Sequence, residues 1–134
     1  MKKGYKQLLA EAAAEITTLP TAAAIAEHGK DGVVFVDIRD PRELEREGVI
    51  PGAFRAPRGM LEFWIDPDSP YHKTIFAEPK KFVFFCAAGW RSALAAKLAQ
   101  DMGLENVADI EGGFTAWKEA GGLIEALPAK KPAA

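Results

Sequence analysis

Two short, unbroken apolar segments constrain the fold of this chain more than any other feature. They are VVFVD at residues 33–37 and KFVFFC at residues 81–86, and both are rich in β-branched and aromatic side chains. A strand with one face in water alternates apolar and polar residues, whereas a strand covered on both faces does not. We therefore predict two central β-strands, each buried on both faces.

Helical patterns and turn residues separate these strands from the rest of the chain. Helices are predicted at 4–14, 18–29, 41–48, 91–103 and 112–122, with Thr18 or Thr21 as the cap of the second, and shorter strands at 53–56 and 106–110. The turn residues at 66–73 predict a surface loop. The segment 4–14 is read either as a short amphipathic helix or as a frayed terminus. Strands that alternate with helices imply right-handed crossovers, so we expect an α/β fold with a mostly parallel sheet of about five strands and helices on both faces.

The length of 134 residues suits one domain with a core of its own. We predict an N-terminal helical extension at residues 1–14, the domain at 15–124 and a flexible tail at 125–134. No internal repeat and no second domain are expected.

Charge and cysteine content exclude several classes of function. With 17 basic and 19 acidic residues the formal net charge is -2, which argues against a nucleic-acid partner. No apolar run approaches the roughly 20 residues that span a bilayer, so no membrane association is expected. A single cysteine forms no intramolecular disulfide. We expect a cytoplasmic protein whose thiol is kept reduced.

The single cysteine, Cys86, ends the second apolar strand, and Arg91 and Ser92 begin the helix that follows. Ligand sites of open α/β sheets lie beyond the carboxyl ends of the strands. The short loop between strand and helix requires a sharp turn, for which Gly89 is suited, and it points backbone N–H groups inward. Such a cradle stabilises a thiolate, which makes Cys86 a candidate nucleophile. The alternative is a buried cysteine that acts as a small hydrophobe.

The loop CAAGWRS resembles the C-x-x-G-x-R-S active-site loop of single-domain rhodanese-like sulfurtransferases. VFVDIRDPRELE, GVIPGAFRAPRG and IEGGFTAWKEAGG resemble three further motifs of that family, in the same order. The resemblance implies a rhodanese-like domain in which Cys86 carries sulfur as a persulfide. The donor would be thiosulfate or a persulfide, and the acceptor cyanide, a small thiol or another protein. Neither a metal nor an organic cofactor is implied.

The resemblance also defines the loop around the cysteine, and the positions of its residues suggest their roles. The active-site loop comprises Ala87, Ala88, Gly89, Trp90, Arg91 and Ser92. Arg91 is expected mainly to orient the loop and secondarily to attract an anionic donor. Ser92 either caps the helix or donates a hydrogen bond to the sulfur. Trp90 is expected to contact the donor or a partner at the rim, with packing as the alternative.

Three charged residues outside the loop are further candidates. Asp37 and Arg39 end the first central strand, and the resemblance implies that they support the active-site side of the fold through charged hydrogen bonds. An ordinary solvated ion pair, worth about 0–1 kcal/mol, is the alternative. Arg58 follows the short third strand and is a possible donor contact or simply a solvated arginine.

The sequence departs from the family pattern at three positions. Val49 stands where the family usually has His, and Ala87 and Ala88 stand where many relatives carry polar residues. Val49 makes no hydrogen bond of the kind a histidine would make there. The two alanines predict a less cationic pocket mouth, which argues against efficient use of thiosulfate and leaves a persulfide or a protein-bound donor.

Two other functions remain open. One is a partner-dependent sulfur-carrier or regulatory module. The other is a phosphatase or arsenate reductase, whose loop resembles His-Cys-x5-Arg. Phe85 precedes the cysteine here and four residues separate it from Arg91, so the phosphatase hypothesis is disfavoured.

Overall fold

The two predicted central strands lie side by side in a five-stranded sheet. The computed structural model describes residues 1–129. Its strands are β1 Thr17–Leu19, β2 Val33–Asp37, β3 Phe54–Arg55, β4 Lys81–Phe85 and β5 Val107–Ile110, in the spatial order β1-β5-β4-β2-β3. All strand pairs are parallel, so the carboxyl ends of β2, β4 and β5 meet at one edge. The α/β fold with a parallel sheet of five strands is confirmed.

Within residues 1–129, six α-helices connect and cover the strands. They are α1 Tyr5–Glu15, α2 Thr21–Glu27, α3 Pro41–Glu47, α4 Leu61–Ile65, α5 Trp90–Met102 and α6 Gly113–Glu119, with 3-10 turns at Arg58–Met60 and Thr74–Ala77. Helix α3 begins with Pro41 after an Asp40 cap and ends at Gly48, as its sequence predicts.

Alternate side chains of the central strands enter two separate cores. Phe82 and Phe84 of β4 pack with the alanines of α5 on one face of the sheet. Val83 and Phe85 point the other way and pack with Phe114 and Trp117 of α6. Because successive strand residues face opposite sides, a strand covered on both faces must be apolar throughout. This requirement explains the two unbroken segments.

One strand lies where the sequence predicted the start of a helix. Residues Thr17–Leu19 form β1, which pairs with β5 at the edge of the sheet, and α2 starts only at Thr21 after Pro20. A three-residue edge strand is too short to show a period of its own, and its structure depends on hydrogen bonds to β5. The predicted loop at residues 66–73 continues into a 3-10 turn that the sequence did not indicate.

Both ends of the described chain contact the domain. Ala12 of α1 is fully buried, and the Gln100 side chain donates to the Glu15 carbonyl oxygen at 3.1 Å. Near the other end, Glu125 forms an isolated antiparallel bridge with Val49. Of the predicted tail, residues 130–134 lie outside the described residues.

Candidate active site

Cys86 follows β4 at the carboxyl edge of the sheet, and its loop ends where α5 begins. The sulfur is enclosed, since Cys86 is 1% exposed. Gly89 precedes α5 with a φ of 109°, a conformation that other residues rarely adopt. In this conformation the Gly89 N–H donates to Cys86 Sγ at 3.1 Å. The loop therefore places a backbone donor where charge on the sulfur would be stabilised.

The first residues of α6 fix the other side of the loop. The Phe114 N–H donates to the carbonyl oxygen of Cys86 at 2.8 Å, and the Thr115 N–H donates to that of Ala87 at 3.0 Å. Gly113 permits this approach, because a Cβ there would lie 2.5 Å from the Cys86 oxygen and 2.7 Å from the Ala87 oxygen. The glycine at the first position of α6 is thus explained by close contact of two backbones.

Ser92 lies beneath the sulfur and is fully buried. Cys86 Sγ donates to Ser92 Oγ at 3.6 Å. The single hydroxyl proton of Ser92 has two acceptors within reach, the Gly89 carbonyl oxygen at 3.2 Å and Asp109 Oδ2 at 3.3 Å. Ser92 therefore contacts both the sulfur and the Gly89 carbonyl oxygen, but α5 has no side-chain cap hydrogen bond, and Ser92 accepts from the sulfur rather than donating to it.

Asp109 is the second polar group below the cysteine. It belongs to β5, is 3% exposed, and accepts a hydrogen bond from Thr18 Oγ1 at 2.7 Å on its other oxygen. Burial raises the pKa of Asp109, although the hydrogen bonds from Thr18 and Ser92 act in the opposite direction.

Arg91 is paired with a glutamate from a distant helix. Its Nη1 and Nη2 donate to Glu43 Oε1 and Oε2 at 2.7 and 2.9 Å. The hydrogen bond from Arg91 lowers the pKa of Glu43 to about 2, against the effect of burial. The pKa of Arg91 is raised, mainly by Glu43 and to a lesser extent by Cys86. The guanidinium therefore joins α5 to α3 while it adds positive charge near the sulfur.

The rim of the site is apolar. Ala88 is exposed, Ala87 is partly buried, and Trp90 is 62% exposed. The Trp90 ring lies 5.3 Å from the Tyr5 ring of α1, measured between centroids. The N-terminal helix thus reaches the edge of the active-site loop, and contact of Trp90 with a donor or partner stays a prediction.

Asp37 and Arg39 form a buried pair beside the loop. Arg39 Nη2 donates to Asp37 Oδ2 at 2.7 Å and to the Gly48 carbonyl oxygen at 2.9 Å, and its guanidinium lies 4.1 Å from the centre of the Phe114 ring. Both side chains are almost fully buried, which distinguishes the pair from a solvated loop ion pair. Through Gly48 and Phe114 it connects β2 with α3 and α6.

Arg58 has its partner on its own segment. Its Nη1 donates to Glu62 Oε1 at 2.8 Å, one helical turn further on. A donor contact by Arg58 stays a prediction, and it would require the guanidinium to leave Glu62.

Sequence reasoning missed two acidic residues of the site. Asp109 is the only charged side chain in the strand VADI, and a lone carboxylate near the carboxyl end of a buried strand signals a polar partner. Glu43 occupies the third position of α3, where it completes a capping box with Asp40. Its pairing with Arg91 spans 48 residues of sequence and has no local signal.

The similarity of this chain to known proteins agrees with the fold described above. Residues 21–120 match the rhodanese-like domain, and the chain belongs to that family. It is 31% identical over 115 residues to a mitochondrial thiosulfate sulfurtransferase of Saccharomyces cerevisiae, covering 82% of this chain and 76% of the yeast protein. It is 27% identical to the human thiosulfate:glutathione sulfurtransferase, covering 81% of this chain and 96% of the human protein.

Solved structures show the same architecture. A protein of unknown function from Rhodopseudomonas palustris, described as a possible tyrosine phosphatase, is 66% identical with a TM-score of 0.92, covering 93% of this chain and 96% of that one. A rhodanese-related protein from Thermoplasma volcanium is 28% identical with a TM-score of 0.67, covering 83% of this chain and 99% of that one.

Two kinds of feature are absent from residues 1–129, a cluster of metal ligands and a membrane-spanning helix. No group of three or more His, Cys, Asp and Glu side chains in this part of the chain is arranged to hold a metal ion. Within the same residues, no helix has the length and apolar character needed to cross a membrane.

Proposed function

We propose that the protein is a sulfurtransferase that moves a sulfane sulfur from a donor to a thiophilic acceptor through a persulfide on Cys86. The observation that carries this proposal is the hydrogen bond from the Gly89 N–H to Cys86 Sγ at 3.1 Å, in a four-residue loop at the carboxyl edge of the sheet. The sulfurtransferase relatives support the same reaction class.

The first half of the reaction loads the sulfur. The Cys86 thiolate attacks the outer sulfur of thiosulfate or a persulfide, a new S–S bond forms, and the donor's own S–S bond breaks. Its electron pair leaves with sulfite or with the donor thiolate. The persulfide that remains is anionic, and the Gly89 N–H together with the Arg91 charge favours that form.

The second half passes the sulfur on. An acceptor nucleophile attacks the outer sulfur of the persulfide, and the Cys86 thiolate is released. Cys86 is the only cysteine of the chain, so the acceptor is a separate molecule such as cyanide, a small thiol or a protein. The cycle requires a reduced thiol at its start, which is consistent with a cytoplasmic location.

A phosphatase activity is the second candidate, since one similar structure carries that description. Two features favour sulfur transfer. The loop has four residues between Cys86 and Arg91, and both terminal nitrogens of Arg91 are occupied by Glu43 rather than free for an oxyanion.

Intact-mass spectrometry tests the proposal. Wild type and Cys86→Ser are each exposed to thiosulfate, mercaptopyruvate or glutathione persulfide, and in parallel to an aryl phosphate and arsenate. We expect a one-sulfur adduct on wild type only, removed by cyanide with formation of thiocyanate. The absence of this adduct with every donor, or turnover of phosphate or arsenate that depends on Cys86, would contradict sulfur transfer.

A module that carries sulfur without releasing it to small acceptors gives a different result. In that case the adduct forms but resists cyanide and glutathione. Such an outcome would replace the enzymatic proposal with that of a partner-dependent carrier.

A further inference from the structure

Asp109 is a buried acid whose side-chain hydrogen bonds involve no cation. Its two oxygens are engaged by the hydroxyl groups of Thr18 and Ser92, and no cation is among its side-chain partners in the described part of the chain. Burial raises its pKa, so the proton-bound form of this acid is more accessible than that of a surface aspartate. A buried carboxylate without a counter-ion is costly, and neither step of the proposed reaction uses it.

A chain of two hydrogen bonds connects Asp109 with the nucleophile. Cys86 Sγ lies 3.6 Å from Ser92 Oγ, and Ser92 Oγ lies 3.3 Å from Asp109 Oδ2. When Asp109 is ionised, it accepts the Ser92 proton, and the Ser92 oxygen accepts the thiol proton. When Asp109 is protonated, the carboxyl donates to Ser92 and the Ser92 hydroxyl donates to an anionic sulfur. The same three groups thus form hydrogen bonds with either charge state of the sulfur, because the direction of both hydrogen bonds reverses.

We propose that Asp109, acting through Ser92, takes up the Cys86 proton when the sulfur becomes anionic. The S–H bond breaks as an O–H bond forms on Ser92, and the former Ser92 proton passes to Asp109 Oδ2. One negative charge is present before and after the transfer. Asp109 is a positioning residue here, because it reaches the sulfur only through Ser92. For the persulfide state this inference rests on the sulfur-transfer function proposed above; for the free thiol it does not.

The surrounding charges favour one negative charge over two. Thr18 of β1 and Ser92 of α5 are the polar side chains against Asp109, and α6 presents backbone amides to the loop carbonyls. The cation whose charge acts on the sulfur is Arg91, which is itself paired with Glu43 of α3. Two anions separated by only two hydrogen bonds in a buried site repel each other, so the state in which the two groups share one proton is favoured over the state with none.

The test is the pH dependence of Cys86 alkylation by iodoacetamide. In wild type we expect the rate to rise in two steps with a plateau between them, because the singly protonated pair already contains some thiolate. Asp109→Asn should lose the acid-side step and show one rise. Ser92→Ala, which removes the bridge and keeps the acid, should also show one rise. Asp101→Asn is the matched control on the exposed end of α5 and should retain both steps.

A second measurement uses only the wild-type protein, so it does not depend on whether a variant folds. Infrared difference spectra of wild type, recorded on the plateau before and after iodoacetamide removes the anionic sulfur, should show a protonated carboxyl band that is lost as a carboxylate band appears. A single-step alkylation profile in wild type, or a two-step profile retained by Asp109→Asn, overturns the inference. The lack of a carboxyl band in wild type also overturns it.

The outcomes separate this inference from the proposed function, because alkylation requires no sulfur donor. A protein that forms the cyanide-sensitive adduct but alkylates in one step transfers sulfur without the Asp109 pathway. A protein that alkylates in two steps but never forms the adduct has the coupled pair without sulfur transfer.

Discussion

Replacement of Glu43 by Gln tests the charge of the Arg91–Glu43 pair. Gln keeps one side-chain oxygen for the Arg91 Nη1 hydrogen bond and for the helix cap, and it removes the negative charge together with the acceptor of Arg91 Nη2. The pKa of Glu43 is lowered from 4.5 to about 2. At about 1.4 kcal/mol for each pKa unit this corresponds to roughly 3 kcal/mol. Because the Arg91 side chain is 42% exposed, screening by solvent reduces the expected loss to about 1–2 kcal/mol.

The pH dependence gives this prediction its sign. The folded pKa of Glu43 lies below its ordinary value, so the carboxylate stabilises the fold above about pH 4.5 and loses this effect as the pH falls toward 2. Urea unfolding of wild type and Glu43→Gln should therefore differ by about 1–2 kcal/mol near pH 7 and converge in acid. Glu47→Gln, on the exposed side of α3, should cost less than about 0.5 kcal/mol. A difference that is the same near pH 3 as near pH 7 would refute the charge-based reasoning.

Three further substitutions test other contacts. Gly113→Ala should lower the free energy of unfolding in urea by about 3 kcal/mol or more, since its Cβ meets two carbonyl oxygens. Gly121→Ala, which has a φ of 81° but open space around it, should lower it by about 1–2 kcal/mol. Equal losses in the two variants would contradict the close-approach argument. Arg39→Met should cost about 3–5 kcal/mol by leaving its buried carboxylate partner unpaired, and adding Asp37→Asn should recover part of that loss; no recovery would argue against the ion pair. Trp90→Ala should change the free energy of unfolding by less than about 1 kcal/mol but raise the KM for donor or acceptor, and a fall in kcat alone would exclude a rim contact.

The sequence indicates the parts of the fold that repeat a local physical pattern. Residues 33–36 and 82–86 are apolar throughout because both faces of β2 and β4 are covered, and Cys86 could be placed at the sheet edge because it ends one of these segments. The short loop and Gly89 likewise follow from the spacing between strand and helix.

The rest depends on contacts between distant segments. Strand β1 has three residues and takes its structure from β5, so Thr18 resembled a helix cap. Glu43 and Arg91 are brought together only when α3 and α5 pack, and Asp109 meets Ser92 only in the folded sheet. No local periodicity reports such pairs, although a charged residue in a buried strand is a warning that one exists.

The backbone contact at Gly113 has a consequence for how the protein is made. The carbonyl oxygens of the cysteine loop are bound by amides of residues 114 and 115, which leave the ribosome almost thirty residues after the nucleophile itself. A nascent chain, or one truncated before α6, therefore carries the thiol without a fixed loop to activate it. The proposed sulfur chemistry therefore becomes available only once synthesis of the domain is nearly finished.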